Sequence, residues 1–215
     1  MGISLKQIIS INKTFMQLIN KNEYEKLVLE LMNKSSKVFP NTYKKIEIQN
    51  NNQCDFVDVE TNEKLEAKLF LTKKEGELIA SNNRDYEKWL NIAFERIGEF
   101  SEFVEARGSK PIENLTIYKI FELLLSKIEQ DENMILLFLY PVTLDLEGSI
   151  VTFFGDVLST IYHDFNKKGM ILNRKIYVIY PTIDNKMVVR LLNSNQREYF
   201  IDNNFSEFLK YELQK

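Results

Sequence analysis

A mixed α/β sheet flanked by helices is the fold class the sequence predicts, and three observations carry it. Apolar residues recur at helical spacing before, between and after segments with strand-like alternation. One strand-sized run, Met134 to Tyr140, is apolar on both faces, as in the middle of a covered sheet. The composition supports a real core: 44% hydrophobic residues with only 7 Gly and 4 Pro among 215 excludes a disordered or collagen-like chain.

Leu5 to Asn20 has helical periodicity through Leu5, Ile8, Ile9, Phe15 and Ile19. A second helix runs from Glu23 to Val38, with Tyr24, Leu27, Val28, Leu31 and Met32 on its apolar side and Glu23, Lys26, Glu30 and Asn33 opposite. Pro40 closes it, because the residue before a proline is pushed out of the helical region. The period then switches to two. Lys44 to Ile48, Asp55 to Glu60 and Lys64 to Leu71 read as short strands separated by Asn-rich turns. Arg84 to Ala106 is a helix carrying Trp89, Ile92, Ala93, Ile97 and Phe100, ended by Gly108 and Pro111.

Ile112 to Ile128 is the next helix, followed by the Met134–Tyr140 strand and a helix over Ser149 to Phe165. Lys175 to Tyr180 and Met187 to Leu192 form a hairpin around Pro181 to Lys186, and a short helix over Asn204 to Tyr211 finishes the chain. No repeat or low-complexity linker interrupts this order, so residues 1–215 read as one domain. Helices over 1–40 precede a hairpin core over 44–106, and the remaining sheet and helices occupy 112–215.

Several function classes drop out. No segment approaches the roughly 18 apolar residues of a membrane span, and the N-terminus lacks a signal-peptide core, so a soluble, cytoplasmic protein without a membrane partner is expected. One cysteine, Cys54, and one histidine, His163, cannot build an internal disulfide or the usual zinc site. A net charge of −3 gives no overall basic field, so any polyanion must meet a local patch. No Gly-rich phosphate loop and no Gly-x-Ser-x-Gly motif occurs.

The segment from Cys54 to Leu69 carries chemistry. Glu66 and Lys68 sit two apart on a strand and leave one face, while Leu65, Ala67 and Leu69 occupy the other. An even-length turn puts Val59 opposite Lys64 and Asp55 opposite Lys68, so Asp55, Glu66 and Lys68 converge. A three-residue turn brings Asp58 to that face instead. Asn62 suits the turn position of the even-length form, which favours Asp55. Two carboxylates on adjacent strands can hold a hard cation such as Mg²⁺, and a neighbouring lysine can orient water or stabilise charge on a phosphate.

This pattern resembles the active site of the PD-(D/E)xK nuclease superfamily, which includes many restriction endonucleases. There an Asp begins one strand and a Glu-x-Lys lies on the next. Cys54-Asp55 stands for the "PD" and Glu66-Ala67-Lys68 for the "ExK". The resemblance implies a restriction-endonuclease-like core and Mg²⁺-dependent phosphodiester hydrolysis, with Mn²⁺ as a substitute. DNA is the implied substrate, and restriction or anti-phage defence the implied setting. It further implies the Ala67 backbone carbonyl as a metal ligand and a Glu on the preceding helix, for which Glu30 is the candidate. A homodimer or a partner protein is a further expectation.

Lys44, Lys45, Lys73, Lys74, Arg84 and Lys88 flank the hairpin and are the candidate phosphate contacts. Lys167, Lys168, Arg174 and Lys175 form a second basic cluster. The alternative expectation is a non-catalytic interaction or nucleic-acid-binding subunit that retains the fold without the activity. Asp184-Asn185-Lys186 also fits an acid-x-Lys triplet, but it sits at a hairpin turn without an acid at strand spacing upstream.

Overall fold

The computed structural model describes residues 21–46, 54–70, 77, 113, 116–128, 132–137, 144–146, 149–151, 153–181 and 186–201. Their elements are α1 (Lys21–Lys34), β1 (Tyr43–Lys45), β2 (Phe56–Asp58), β3 (Lys64–Leu69), α2 (Thr116–Ser126) and β4 (Asn133–Leu137). They continue with β5 (Leu144–Leu146), β6 (Ser149–Val151), α3 (Phe153–Lys167), β7 (Ile176–Pro181), β8 (Lys186–Leu191) and β9 (Arg197–Ile201). The helices expected over Leu5–Asn20, Arg84–Ala106 and Asn204–Tyr211 lie outside the described residues.

Seven strands form one sheet in the order β1-β2-β3-β4-β7-β8-β9, and β5 pairs with β6 separately. The pairs β3–β4 and β4–β7 are parallel and the others antiparallel, so the sheet is mixed. The strand read as apolar on both faces is β4, fourth of the seven, and Met134, Ile135 and Leu136 are all fully buried. A strand walled on both sides by parallel partners and covered on both faces favours apolar side chains throughout; its polar first residue, buried Asn133, donates from Nδ2 to Glu63 and accepts from Lys175 N at Oδ1 (2.7 Å).

Each face has its own core. On one, Val28, Leu31 and Met32 of α1 pack on Phe56, Leu65, Ala67, Ile135, Tyr177 and Val189. On the other, Tyr118, Phe121 and Leu125 of α2 and Leu158, Ile161 and Phe165 of α3 pack on Met134, Leu136, Ile176, Val178 and Val188. Strand alternation sorts neighbours in sequence onto opposite cores. Burying each such Leu, Ile or Phe side chain contributes about 1.5–3 kcal/mol before conformational entropy is subtracted. Among the described residues no helix is long and apolar enough to cross a membrane.

Besides α1, which ends at Lys34 rather than Val38 because Val38 N (3.1 Å) and Phe39 N (2.7 Å) turn back to the Ser35 carbonyl, three further elements differ from expectation. The helix expected from Ser149 begins at Phe153, because Ser149–Val151 pairs with Leu144–Leu146 as a small hairpin. The β-branched Ile150 and Val151 suit the pleated conformation better than a first helical turn. The helix expected over Ile112–Ile128 is described as Thr116–Ser126. Buried Arg174 donates from Nη1 to the Leu125 carbonyl (3.3 Å) and from Nη2 to that of Ile128 (2.9 Å). A cation there satisfies orphan C-terminal carbonyls and complements the helix dipole. The third is β9, a strand not expected from the sequence because its polar Arg197-Glu198 start lacks apolar alternation; Glu198 Oε2 accepts hydrogen bonds from Ser35 Oγ (2.7 Å) and Lys37 N (3.0 Å) just after α1.

The β2–β3 turn falls two residues from its expected register. Val57 lies opposite Lys64 and Phe56 opposite Leu65, where Val59 opposite Lys64 was expected. The cause is Asp58. Its Oδ1 accepts from Glu60 N (2.8 Å) and Thr61 N (3.0 Å), and its Oδ2 from Asn41 Nδ2 (2.6 Å). This draws the turn toward β2, with Asn62 at φ 58°, in the left-handed region that Asn tolerates. A slip of two leaves every side chain on its expected face, whereas a slip of one would have reversed them all.

Burial alone would raise the Asp58 pKa, but hydrogen bonds from Asn41, Thr61 and Glu60 outweigh it and hold the carboxyl below its usual value. Asp58→Ala is expected to cost about 2 kcal/mol at neutral pH, a fall in Tm of roughly 4–8 °C. A depressed folded pKa stabilises fully above the unfolded value near ~4, and that stabilisation is lost as pH falls through the folded value. The difference in melting temperature between wild type and variant should therefore narrow below about pH 4, as thermal melts across pH would show.

Candidate active site

β3 separates its side chains cleanly. Leu65 and Ala67 are buried against α1, while Glu66 and Lys68 leave the opposite face, 17% and 31% exposed. Lys68 Nζ donates to Glu66 Oε1. Partial burial weakens solvent screening, so this pair holds its geometry better than a surface pair would.

Asp55 joins them through the backbone. The β2–β3 ladder ends at Phe56–Leu65, and the chain bends at Asp55 while Ile46 N still donates to the Asp55 backbone carbonyl (3.0 Å). The next ladder position is filled by a side chain: Ala67 N donates to Asp55 Oδ2 at 2.9 Å. A buried carboxylate thus lies one hydrogen bond from the middle residue of Glu66-Ala67-Lys68, and continuing the register by one residue puts Asp55 beside Glu66. In an extended strand a residue's N–H and C=O point to the same side, so the Ala67 carbonyl also faces the end of β2.

The donor set of two carboxylates and a backbone carbonyl is made of hard oxygens, which fits Mg²⁺ with the remaining positions left to water. Among the described residues no three His, Cys, Asp or Glu side chains gather as a metal-binding group. Cys54 is buried, and burial pushes its thiol pKa up, followed by a hydrogen bond to Glu132 and the charges of Glu132 and Glu66. Burial and the neighbouring acids both disfavour the thiolate, the nucleophilic form.

Glu132, buried immediately before β4, is the neighbouring acid that sequence reading missed. Its signal in the sequence is an acid directly before an apolar strand, the position that Asp55 also holds before β2.

Other candidates are placed elsewhere. Glu30 is exposed on α1, ion-paired with Lys34, and its helix packs on the face opposite Glu66 and Lys68. The carboxylate that α1 turns toward the sheet is Glu25, buried, with its Oε2 2.6 Å from Lys45 Nζ. Lys45, opposite Phe56, therefore lies on the α1 face, while Lys44, opposite Val57, shares the face of Glu66. Asp58 shares a face with Tyr43 and is engaged by the turn. Lys73, Lys74, Arg84 and Lys88 lie outside the described residues, as does Asp184.

Three residues of the second basic cluster have partners within the chain, and the fourth, Lys167, is exposed. Lys168 meets Tyr118 Oη (2.9 Å), Asp164 (3.0 Å) and Glu113 (3.4 Å), Lys175 meets Glu63 (3.0 Å), and Arg174 caps α2. No protein-family model, curated protein or solved structure matches the chain.

Because Asp55 replaces a ladder carbonyl, Asp55→Ala leaves the buried Ala67 N–H without its acceptor and is expected to cost about 1–3 kcal/mol. Asp55→Asn keeps an acceptor oxygen and should lose less than about 1 kcal/mol. Urea unfolding midpoints at constant m would distinguish the two. Equal losses would show that the hydrogen bond is not what holds the strand end.

Proposed function

We propose that the chain is a metal-dependent nuclease of restriction-endonuclease-like fold that hydrolyses phosphodiester bonds, with DNA as its substrate. The observation that carries this reading is the bond from Ala67 N–H to Asp55 Oδ2, which couples an acid at the end of one strand to Glu66-x-Lys68 on the next. The mixed sheet covered by helices on both faces supports it as well. Restriction or anti-phage defence, and a homodimer or partner protein for cutting both strands, follow from the resemblance alone.

In this reading Asp55, Glu66 and the Ala67 carbonyl hold Mg²⁺ or Mn²⁺, which when bound lowers the pKa of coordinated water and offsets charge on the phosphate. Lys68 contributes independently. Its ammonium has three donors, and Glu66 engages one, so a second can reach a phosphate oxygen as negative charge builds there. Glu66 thereby orients the lysine, and the buried apolar residues Leu65 and Ala67 keep the strand from shifting beneath it.

A second reading has its own observation. Asp55 Oδ2 already accepts a backbone hydrogen bond, and Glu66 is ion-paired with Lys68. A protein that kept this fold to bind nucleic acid or a partner, without catalysis, would use these groups structurally.

Cleavage of plasmid, single-stranded DNA and RNA in Mg²⁺, Mn²⁺ or EDTA separates the two. The nuclease reading expects metal-dependent cutting of DNA that falls at least about 100-fold in Asp55→Asn, Glu66→Gln and Lys68→Ala. Folded wild type that cuts nothing, or variants that cut as well as wild type, would reject it.

A further inference from the structure

The face that carries Glu66 and Lys68 continues toward the β1 edge of the sheet. Lys44, Val57 and Lys64 are aligned across β1, β2 and β3 in register, so their side chains share that face. With strands about 4.8 Å apart, Lys44 and Lys64 lie about 10 Å from each other, and Lys68 lies about 13 Å farther along β3 from Lys64. Lys44 and Lys64 are exposed, and among the described residues neither pairs with a carboxylate. Lys45, between them in sequence terms, is turned to the α1 face and held by Glu25.

A groove of about 610 Å³ runs here, lined by Lys44, Lys45, Ile46, Val57, Asn62 and Lys64. That volume accommodates a ligand of nucleotide size. Ile46 and Val57 are half-buried and make an apolar floor, with exposed lysines on either side. An apolar floor between cations suits a chain whose charge is periodic and whose uncharged parts are flat or apolar. A nucleic-acid strand has both properties.

We infer that the β1–β3 groove is a path for a nucleic-acid backbone, with Lys44 and Lys64 contacting phosphates on one side of the one presented to Lys68. This rests on the nuclease reading for its purpose, but the binding it requires can be measured without catalysis. Lys64, which the sequence alone did not single out, is central because it stands between the β1 edge and Glu66. The contacts are to phosphate and so carry affinity and register, not sequence preference.

The test is binding of a fluorescein-labelled 20-base-pair DNA duplex, and of either of its strands alone, in EDTA over a range of salt concentrations. Losing two phosphate contacts should lower the slope of log K against log salt by about 2 in Lys44→Ala/Lys64→Ala, with at least one of the two probes. The charge-matched control Lys26→Ala/Lys37→Ala, from the other side of the sheet, should keep the wild-type slope. Lys44→Arg/Lys64→Arg should keep it too.

A wild type that binds neither probe would overturn the inference, as would an Ala pair that keeps the full slope or a control that loses as much. The cleavage assay is scored separately. Cutting with an unchanged slope sinks the path but not the nuclease, and a reduced slope without cutting sinks the nuclease but not the path.

Discussion

Strand β3 must satisfy two incompatible environments with one backbone, and the rest of the molecule is arranged around that requirement. Leu65 and Ala67 have to be buried under α1, so Glu66 and Lys68 are forced onto the other face beside the α2 and α3 core. Charged side chains tolerate that position only as partners of each other or of a ligand. Any sliding of the strand by one residue would bury both charges under α1 and expose Leu65 and Ala67. Asp58 at the turn and Asp55 at the far end of β2 pin the register from both sides.

The two aspartates act by the same chemistry with different consequences. Each carboxylate accepts backbone N–H groups that would otherwise lack a partner. Asp58 does so on a turn, where its effect ends with the turn. Asp55 does so at the middle residue of Glu66-Ala67-Lys68, where its Oδ2 takes the place of a ladder carbonyl. The hydrogen bond that Asp55 accepts from this backbone N–H explains how an acid can remain buried at a strand end.

Charge is distributed unevenly across the molecule in a way that net charge conceals. Arg174, Lys168, Lys175 and Lys45 each hold an internal partner, a helix end or a carboxylate, and so contribute to the fold. Lys44 and Lys64 hold none among the described residues and stand over an apolar floor. The proposed path needs only this local charge, because screening over about 8–10 Å makes the nearest charges count most even on an acidic protein.

The amphipathic stripe of α1, the doubly apolar β4 and the face shared by Glu66 and Lys68 were legible from sequence, since each follows from local periodicity alone. Whether Asp55 or Asp58 shares the face of Glu66 was open in the sequence, because one residue more or less in the turn reverses the face, and the observed register decided it. Long-range matters were not legible either. That Lys45 belongs to Glu25, that Arg174 closes α2, that Glu198 receives Ser35, and that Glu132 lies against Cys54 all join residues from different elements. Periodicity places a side chain on a face of its own element, but which other element that face meets depends on strand order and helix packing. By itself the sequence determined which apolar residues of α1, β3 and β4 are inside and that Glu66 and Lys68 share a strand face. Only the tertiary structure decided which charges are engaged and which remain open to a ligand.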